Sequence, residues 1–306
     1  MEFGTPGSGL TTTKTPWLEQ ANENGEFYLP RQPYECYSQA NHDTWRRLYL
    51  RQMPRWRQFA VPEFLEGVTA LNLQPDQVPN FGDINRFLEP LTGFQAKGVS
   101  GYVPAFLFFQ CLRNREFPTT VTVRDGKKLG YLPEPDMFHD IAGHVPMHTN
   151  RRFADNLVQF GKVAQRAAKR SQSEFRGDEQ IDVVASNIKA LARVFWFTVE
   201  FGLMESDRDG RLKVYGSGLL SSHAEIRHSI VSPQVQRFPL DLRWVINQYF
   251  EIHHFQPLLF FVENFDHLFE QLAVLARWLE EGRLDNVSPG EPDVREEDIK
   301  SFLEAV

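Results

Sequence analysis

Cysteine is nearly missing from this chain of 306 residues, which carries only Cys36 and Cys111. Two isolated cysteines build neither a disulfide framework nor a cysteine-rich zinc site. Basic charge is also short: 33 Lys and Arg face 40 Asp and Glu, for a net charge of −7. With a pI near 5.8 and no basic block, the chain lacks the surface that nucleic acid or an anionic membrane would require. The longest apolar run, "PLLFFV" (257–262), falls far short of a bilayer span, and nothing has the form of a secretion signal. A glycine-rich strand-to-helix turn is missing as well, which argues against a doubly wound nucleotide-binding sheet. These absences lead to the expectation of a soluble cytoplasmic protein with small-molecule partners, no nucleic acid and no membrane.

What the chain has in plenty is apolar bulk: 42 % of residues are hydrophobic, among them 26 phenylalanines and 6 tryptophans. That is ample for a large core. Residues 1–16 are rich in Gly, Ser, Thr and Pro without periodicity and read as a flexible tail, its "MEFGTPGSG" resembling an expression remnant. From residue 17 to 306 there is neither a long linker nor a repeat, so a single domain is the simplest division. Apolar residues recur at helical intervals over 152–170, 181–199 and 264–281, the last closed by Gly282. Strand signals are short: "TTVTVR" (119–124) and "KVYGSG" (213–218), the second after the turn signal "SDRDG" (206–210). The fold class is mainly α, many helices with short β ribbons.

The densest chemistry lies in "EPDMFHDIAGHVPMH" (134–148), where His139 and His144 stand five apart. On a regular helix that interval leaves two side chains about 140° apart, so one face cannot present both. A chain that ends or bends its helix at Gly143 could still bring the imidazoles together. The plain alternative is one surface histidine and one hydrogen-bonded core histidine. The third candidate is Glu200, the only carboxylate between Val183 and Met204, sharing a surface with Trp196 and Phe197. A carboxylate among aromatics costs several kcal/mol unless it is paired or binds a metal, and Arg193 is the obvious pairing partner. Two histidines and one carboxylate would leave three positions open on an octahedral ion, as in non-haem Fe(II) oxygenases.

"PEPDMFHDIAGHVP", "WFTVEFGL" and "YGSGLLSS", in that order, strongly resemble the pterin-dependent aromatic amino acid hydroxylases, and in particular the short bacterial phenylalanine 4-hydroxylases. The likeness extends through "YSQANHDTWRRLYLRQ" (37–52), "GYVPAFLFFQCLRNREFP" (101–118) and "FQPLLFFVENF" (255–265), covering roughly residues 30–270. It implies that His139, His144 and Glu200 hold Fe(II), with a tetrahydropterin as cofactor and O2 as co-substrate, and that an aromatic amino acid is hydroxylated. Asp136 or Asp140 would steady the imidazoles from behind, unless each is a solvated helix-start residue. Arg124 matches the arginine that grips the substrate carboxylate, a task suited to a planar guanidinium. Ser221 matches a serine assisting the same group. Pro135, Trp196 and Phe201 match the apolar wall around the substrate ring, with Gly218 leaving space beside it. For the pterin, Phe108 matches the stacking phenylalanine, and Gly101, Tyr102, Val103 and Ala105 match a loop of backbone contacts. Ala192 and Asp140 complete that cavity. A register error of one would move the stacking role to Phe106 or Phe109.

The chain departs from the animal enzymes at Leu132, where they carry threonine, at Asp140, where they carry glutamate, and in the longer "ESDRDGRLK" segment. No regulatory domain fits before residue 30 and no coiled-coil tail follows 282, so a monomer without substrate activation is expected. The leading expectation is conversion of L-phenylalanine to L-tyrosine. The rivals are 3-hydroxylation of phenylalanine or hydroxylation of tryptophan or tyrosine on the same scaffold, and, further off, a non-catalytic metal-binding sensor.

Overall fold

The computed structural model describes residues 4–12, 15–130, 135–206, 210–250, 252–292, 294, 297, 299, 300 and 303. Leu132 and residues 207–209 of the "SDRDG" turn lie outside these. The chain sorts into two compact units, each made of three segments. Residues 1–103, 116–151 and 213–232 form the first; 104–115, 152–212 and 233–306 form the second.

The first unit is organised by the helix Gln39–Phe59, which starts in a capping box between Ser38 and Asn41. Its buried positions include Trp45, Leu48, Tyr49, Gln52, Trp56 and Phe59, the three-and-four spacing of an amphipathic helix. Trp56 stacks on Phe138 at 6.2 Å between ring centroids, while Trp45 meets the same ring edge-on at 5.4 Å. Two buried donors of this face share one acceptor: Trp56 Nε1 and Gln52 Nε2 each donate to the Leu220 carbonyl at 2.7 Å. Two strands, Gln95–Val99 and Glu116–Thr120, pair parallel, from Gln95 opposite Glu116 to Val99 opposite Thr120. A parallel pair needs a crossover, which residues 100–115 supply, so one βα step is present after all.

The supposed tail is tied down over its described part. Leu10 is fully buried, and its backbone N–H donates to Asn41 Oδ1 at 3.0 Å. Gly7 and Gly9 donate to the carbonyls of Glu35 and Cys36, and Thr11 bridges to Val123. The strand signal at 119–124 therefore splits, its end pairing with this N-terminal segment instead of continuing the sheet.

In the second unit the helices Arg151–Glu174 and Gly177–Phe195 pack around Phe109, Phe160 and Phe195. Gly161 lets the helix Ala105–Arg113 approach closely: a Cβ there would lie 2.3 Å from the Phe109 carbonyl oxygen. Strand Leu258–Val262 pairs parallel with Leu203–Glu205 on one side and Gln236–Pro239 on the other. The helix Phe265–Glu280 ends as expected, with Gly282 at φ +74°. Helix dominates both units, as the sequence indicates.

Candidate metal centre

The helical segment carrying His139 and His144 does not end at Gly143. Residues Phe138–His144 form a turn of π-helix that runs on into the 3-10 turn Val145–Thr149. In a π-turn the backbone bonds i to i+5, so side chains five apart come round to the same side. That resolves the interval. Gly143 serves a different need, and its backbone is not left-handed. A Cβ at 143 would sit 2.9 Å from the Ser217 carbonyl oxygen, so only glycine lets the helix Ser217–Ser221 lie flush against the turn. On the other flank Gly67 does the same, because a Cβ there would reach 2.0 Å from the Pro146 carbonyl oxygen.

The two imidazoles face each other, Nε2 to Nε2, at 3.1 Å. Two nitrogens bound at right angles to one ion, each about 2.1 Å away, would stand about 3 Å apart. The pair thus has the spacing of adjacent ligands on a metal. Behind them, His139 Nδ1 lies 2.9 Å from Ser221 Oγ and His144 Nδ1 lies 2.9 Å from Ser217 Oγ. Ser221 donates its own hydroxyl hydrogen to the Gly218 carbonyl at 3.3 Å, which leaves its oxygen to accept from Nδ1–H. That tautomer turns the Nε2 lone pair outward.

Serines therefore meet the rings where carboxylates were expected. Asp136 accepts from the His139 backbone N–H at 3.1 Å, not from its ring, and otherwise serves Arg124. Its two oxygens take Arg124 Nε at 2.8 Å and Nη2 at 2.7 Å, and the Arg124 backbone N–H at 2.9 Å. Both side chains are buried. Burial pushes the Asp136 carboxyl up, and the Arg124 charge and hydrogen bonds overcome it, holding it below the ordinary carboxylate range. Arg124 Nη1 donates to the Gly130 carbonyl at 2.8 Å. Asp140 is buried too, its Oδ2 accepting from Thr120 N–H and Oγ–H, both at 2.7 Å. Burial raises its carboxyl to about 7 against the pull of those bonds.

The third histidine of the stretch, His148, is a core residue between the rings of Phe94 and Phe117, at 5.0 and 4.8 Å. Burial drives its pKa well below the ordinary value, so it is neutral. Pro135 is exposed, Gly218 buried in its helix. Gly101 and Val103 are half-buried and Tyr102 exposed, in a loop held by Asn22 Nδ2 donating to the Tyr102 carbonyl at 2.7 Å.

The second unit presents its own set. The helix Gly177–Phe195 changes into a π-turn over Trp196–Glu200. Ala192, Trp196 and Glu200 are the half-buried positions of a stretch whose other members, 193–195 and 197–199, are buried. Arg193 does not pair with Glu200. Its guanidinium donates to the carbonyls of Ile246, Pro289, Gly290 and Glu291 at 2.9–3.3 Å. Trp196 stacks on Phe250 at 4.0 Å and leans on Phe201 at 4.5 Å, with Nε1 donating to Gln256 Oε1 at 3.1 Å. Of the three phenylalanines in "AFLFF", Phe106 and Phe109 are buried, while Phe108 is half-exposed and edge-on to Phe195 at 5.3 Å. Ala105, at the start of that helix, is also half-buried.

Ser217 was missed by sequence reasoning. The available signal was its four-residue spacing from Ser221 in "SGLLS", which puts both hydroxyls on one helix face.

The family model of the biopterin-dependent aromatic amino acid hydroxylases matches residues 29–282. The phenylalanine-4-hydroxylase of Chromobacterium violaceum is 36% identical over 264 residues, 86% of this chain and 82% of that one. A crystal structure of the C. violaceum enzyme with bound oxidised Fe(III) aligns with a TM-score of 0.76 at 34% identity, over 91% of this chain and 96% of that one. The tyrosine 3-monooxygenase of Rattus norvegicus is 34% identical over 245 residues, 78% of this chain and 45% of that one.

Proposed function

The chain belongs to the biopterin-dependent aromatic amino acid hydroxylase family, and from that premise we propose that it is a phenylalanine 4-monooxygenase. It converts L-phenylalanine to L-tyrosine with O2 and a tetrahydropterin at one ferrous ion. The observation that carries this reading is the facing pair of imidazole Nε2 atoms, 3.1 Å apart and each backed by a hydroxyl.

His139, His144 and Glu200 are the proposed ligands. The resemblance assigns all three, and the histidine pair by itself has the spacing of adjacent ligands on one ion. Two neutral nitrogens and one carboxylate suit Fe(II) and leave half of an octahedron open. When bound, iron and pterin together supply the oxidising power that places one oxygen atom of O2 on the aromatic ring.

The chain's own residues bind and orient. Asp136 takes two of the five guanidinium N–H groups of Arg124 and Gly130 a third, which fixes the fork and leaves two for the substrate carboxylate. Ser221, placed near that carboxylate by the resemblance, acts here through His139 as well. Trp196, Phe201 and Pro135 supply the apolar wall, Trp196 steadied by Phe250 and Gln256, with Gly218 leaving room beside the ring. Phe108, half-exposed, is the ring proposed to stack on the pterin, and the Asn22-pinned loop Gly101–Val103, Ala105 and Ala192 are its other proposed contacts. Asp140, with Oδ2 committed to Thr120, has Oδ1 left for a bond on the pterin side.

Likeness to a tyrosine 3-monooxygenase keeps a same-scaffold rival in the test. Few side chains separate such substrates, and each contact shifts discrimination by about 1–3 kcal/mol. The protein is loaded with Fe(II) and a tetrahydropterin and given phenylalanine, tyrosine or tryptophan, and the products are separated by chromatography. Tyrosine from phenylalanine is expected. Preferred turnover of tyrosine or tryptophan, or 3-hydroxyphenylalanine as the product, moves the assignment to the rival, and no turnover with iron bound overturns it. The enzyme is further proposed to work as a cytoplasmic monomer, which light scattering on the purified protein checks for its mass. No described helix is long and apolar enough to cross a membrane.

A further inference from the structure

The Ser217 hydroxyl has no role in the reaction as described so far, yet it meets the second of the two imidazoles. We propose that Ser217 is a positioning residue for His144: its Oγ accepts the Nδ1 hydrogen, fixes the tautomer and ring plane, and thereby sets the affinity of the site for its metal. The inference rests on the reading of His139 and His144 as ligands.

Three observations carry it. Ser217 and His144 are each 2 % exposed, so water does not compete for the 2.9 Å contact between Oγ and Nδ1. One helical turn later Ser221 makes the same contact with His139, and there the donation to Gly218 leaves the oxygen as acceptor. Residues i and i+4 share a helix face, so one short helix presents both hydroxyls to both rings. Finally, the approach is enforced by Gly143, where a Cβ would fall 3.5 Å from the Ser217 Cβ and 2.9 Å from its carbonyl oxygen. The Phe117 ring lies 4.6 Å from the His144 ring and can hold its plane. Being apolar, it cannot choose which ring nitrogen carries the proton. The hydroxyl can. A ligand whose tautomer is preset needs no reorganisation to offer its lone pair, and outer partners of this kind are worth about 10–100-fold in metal affinity.

The test titrates Co(II) into metal-free wild-type protein and the Ser217→Ala, Ser217→Thr and His144→Ala variants. Affinity is read by calorimetry, the ligand field by visible absorption, and the metal-free fold by thermal melting. Ser217→Ala is expected to bind Co(II) about 10-fold or more weakly, with an altered visible spectrum and an unchanged metal-free melting curve. Ser217→Thr keeps the oxygen and is expected to recover affinity towards wild type, while His144→Ala abolishes the site. Wild-type affinity in Ser217→Ala overturns the proposal. So does a lowered metal-free melting temperature whose accompanying affinity loss Ser217→Thr does not restore, since the serine would then be a packing group only. Wild-type protein that takes up no Co(II) overturns the iron site itself, and this role with it.

Discussion

Arg124 and Asp136 show how one residue pair ties substrate binding to stability. The guanidinium is held side-on by a carboxylate with no solvent exposure, so neither partner tolerates loss of the other. Asp136→Asn keeps the shape and removes the charge. It is expected to lower folding stability in urea unfolding by about 3–5 kcal/mol, the usual cost of leaving one member of a buried ion pair alone. The pH dependence follows the same pair. The folded Asp136 carboxyl lies below its ordinary value, so its stabilisation is complete above the unfolded pKa of about 3.9 and is lost as pH falls through the folded value. Wild-type stability should fall off in acid, and Asp136→Asn should flatten that slope. Arg124→Lys retains charge but not the fork, and is expected to raise KM for phenylalanine about 10-fold or more with a smaller change in kcat. Much at this scale was legible in sequence: a carboxylate among aromatics at Glu200, an arginine closing a strand at 124, a histidine pair. What sequence could not tell was which partners those residues would choose. Arg193 lies seven positions before Glu200 and nevertheless donates to main-chain carbonyls near residues 246 and 289–291, because contacts distant in sequence close around it.

Elements were legible where periodicity was long. The helices expected over 152–170 and 264–281 appear as Arg151–Glu174 and Phe265–Glu280, because their apolar stripes repeat over several turns. The two π-turns were not legible. A π-turn is one extra residue in an otherwise helical run, selected by what packs beside it, and no composition marks it. Both occur where the proposed ligands stand, at Phe138–His144 and at Trp196–Glu200. Gly143 was read as a break because glycine ends helices; its actual use is the close approach of the helix Ser217–Ser221. Gly161 belongs to the same class in the second unit. Gly161→Ala would press a methyl group to 2.3 Å from the Phe109 carbonyl oxygen and is expected to destabilise the protein by about 1–3 kcal/mol in denaturant titration. Wild-type stability in that variant would mean that the helices part freely.

For the whole molecule, each unit has an aromatic core of its own, with Trp45, Trp56 and Phe138 in the first and Phe109, Phe160 and Phe195 in the second. None of these rings is a proposed metal ligand. Chelation is therefore expected to abolish hydroxylation while leaving far-ultraviolet circular dichroism intact, and Fe(II) should restore turnover; unfolding on chelation would contradict this. Metal that binds only the folded chain also raises the melting temperature with its free concentration. The functional class was legible at this scale through ordered motifs, whereas the tethering of residues 4–12 and the parallel pairing of short strands were not. Both depend on contacts between segments far apart in sequence. The most direct measurement is the mass spectrum of tyrosine formed from phenylalanine under oxygen-18 gas with Fe(II) and a tetrahydropterin. A phenol hydroxyl carrying one heavy oxygen atom is expected. Unlabelled tyrosine, or no tyrosine from iron-loaded protein, would contradict the assignment.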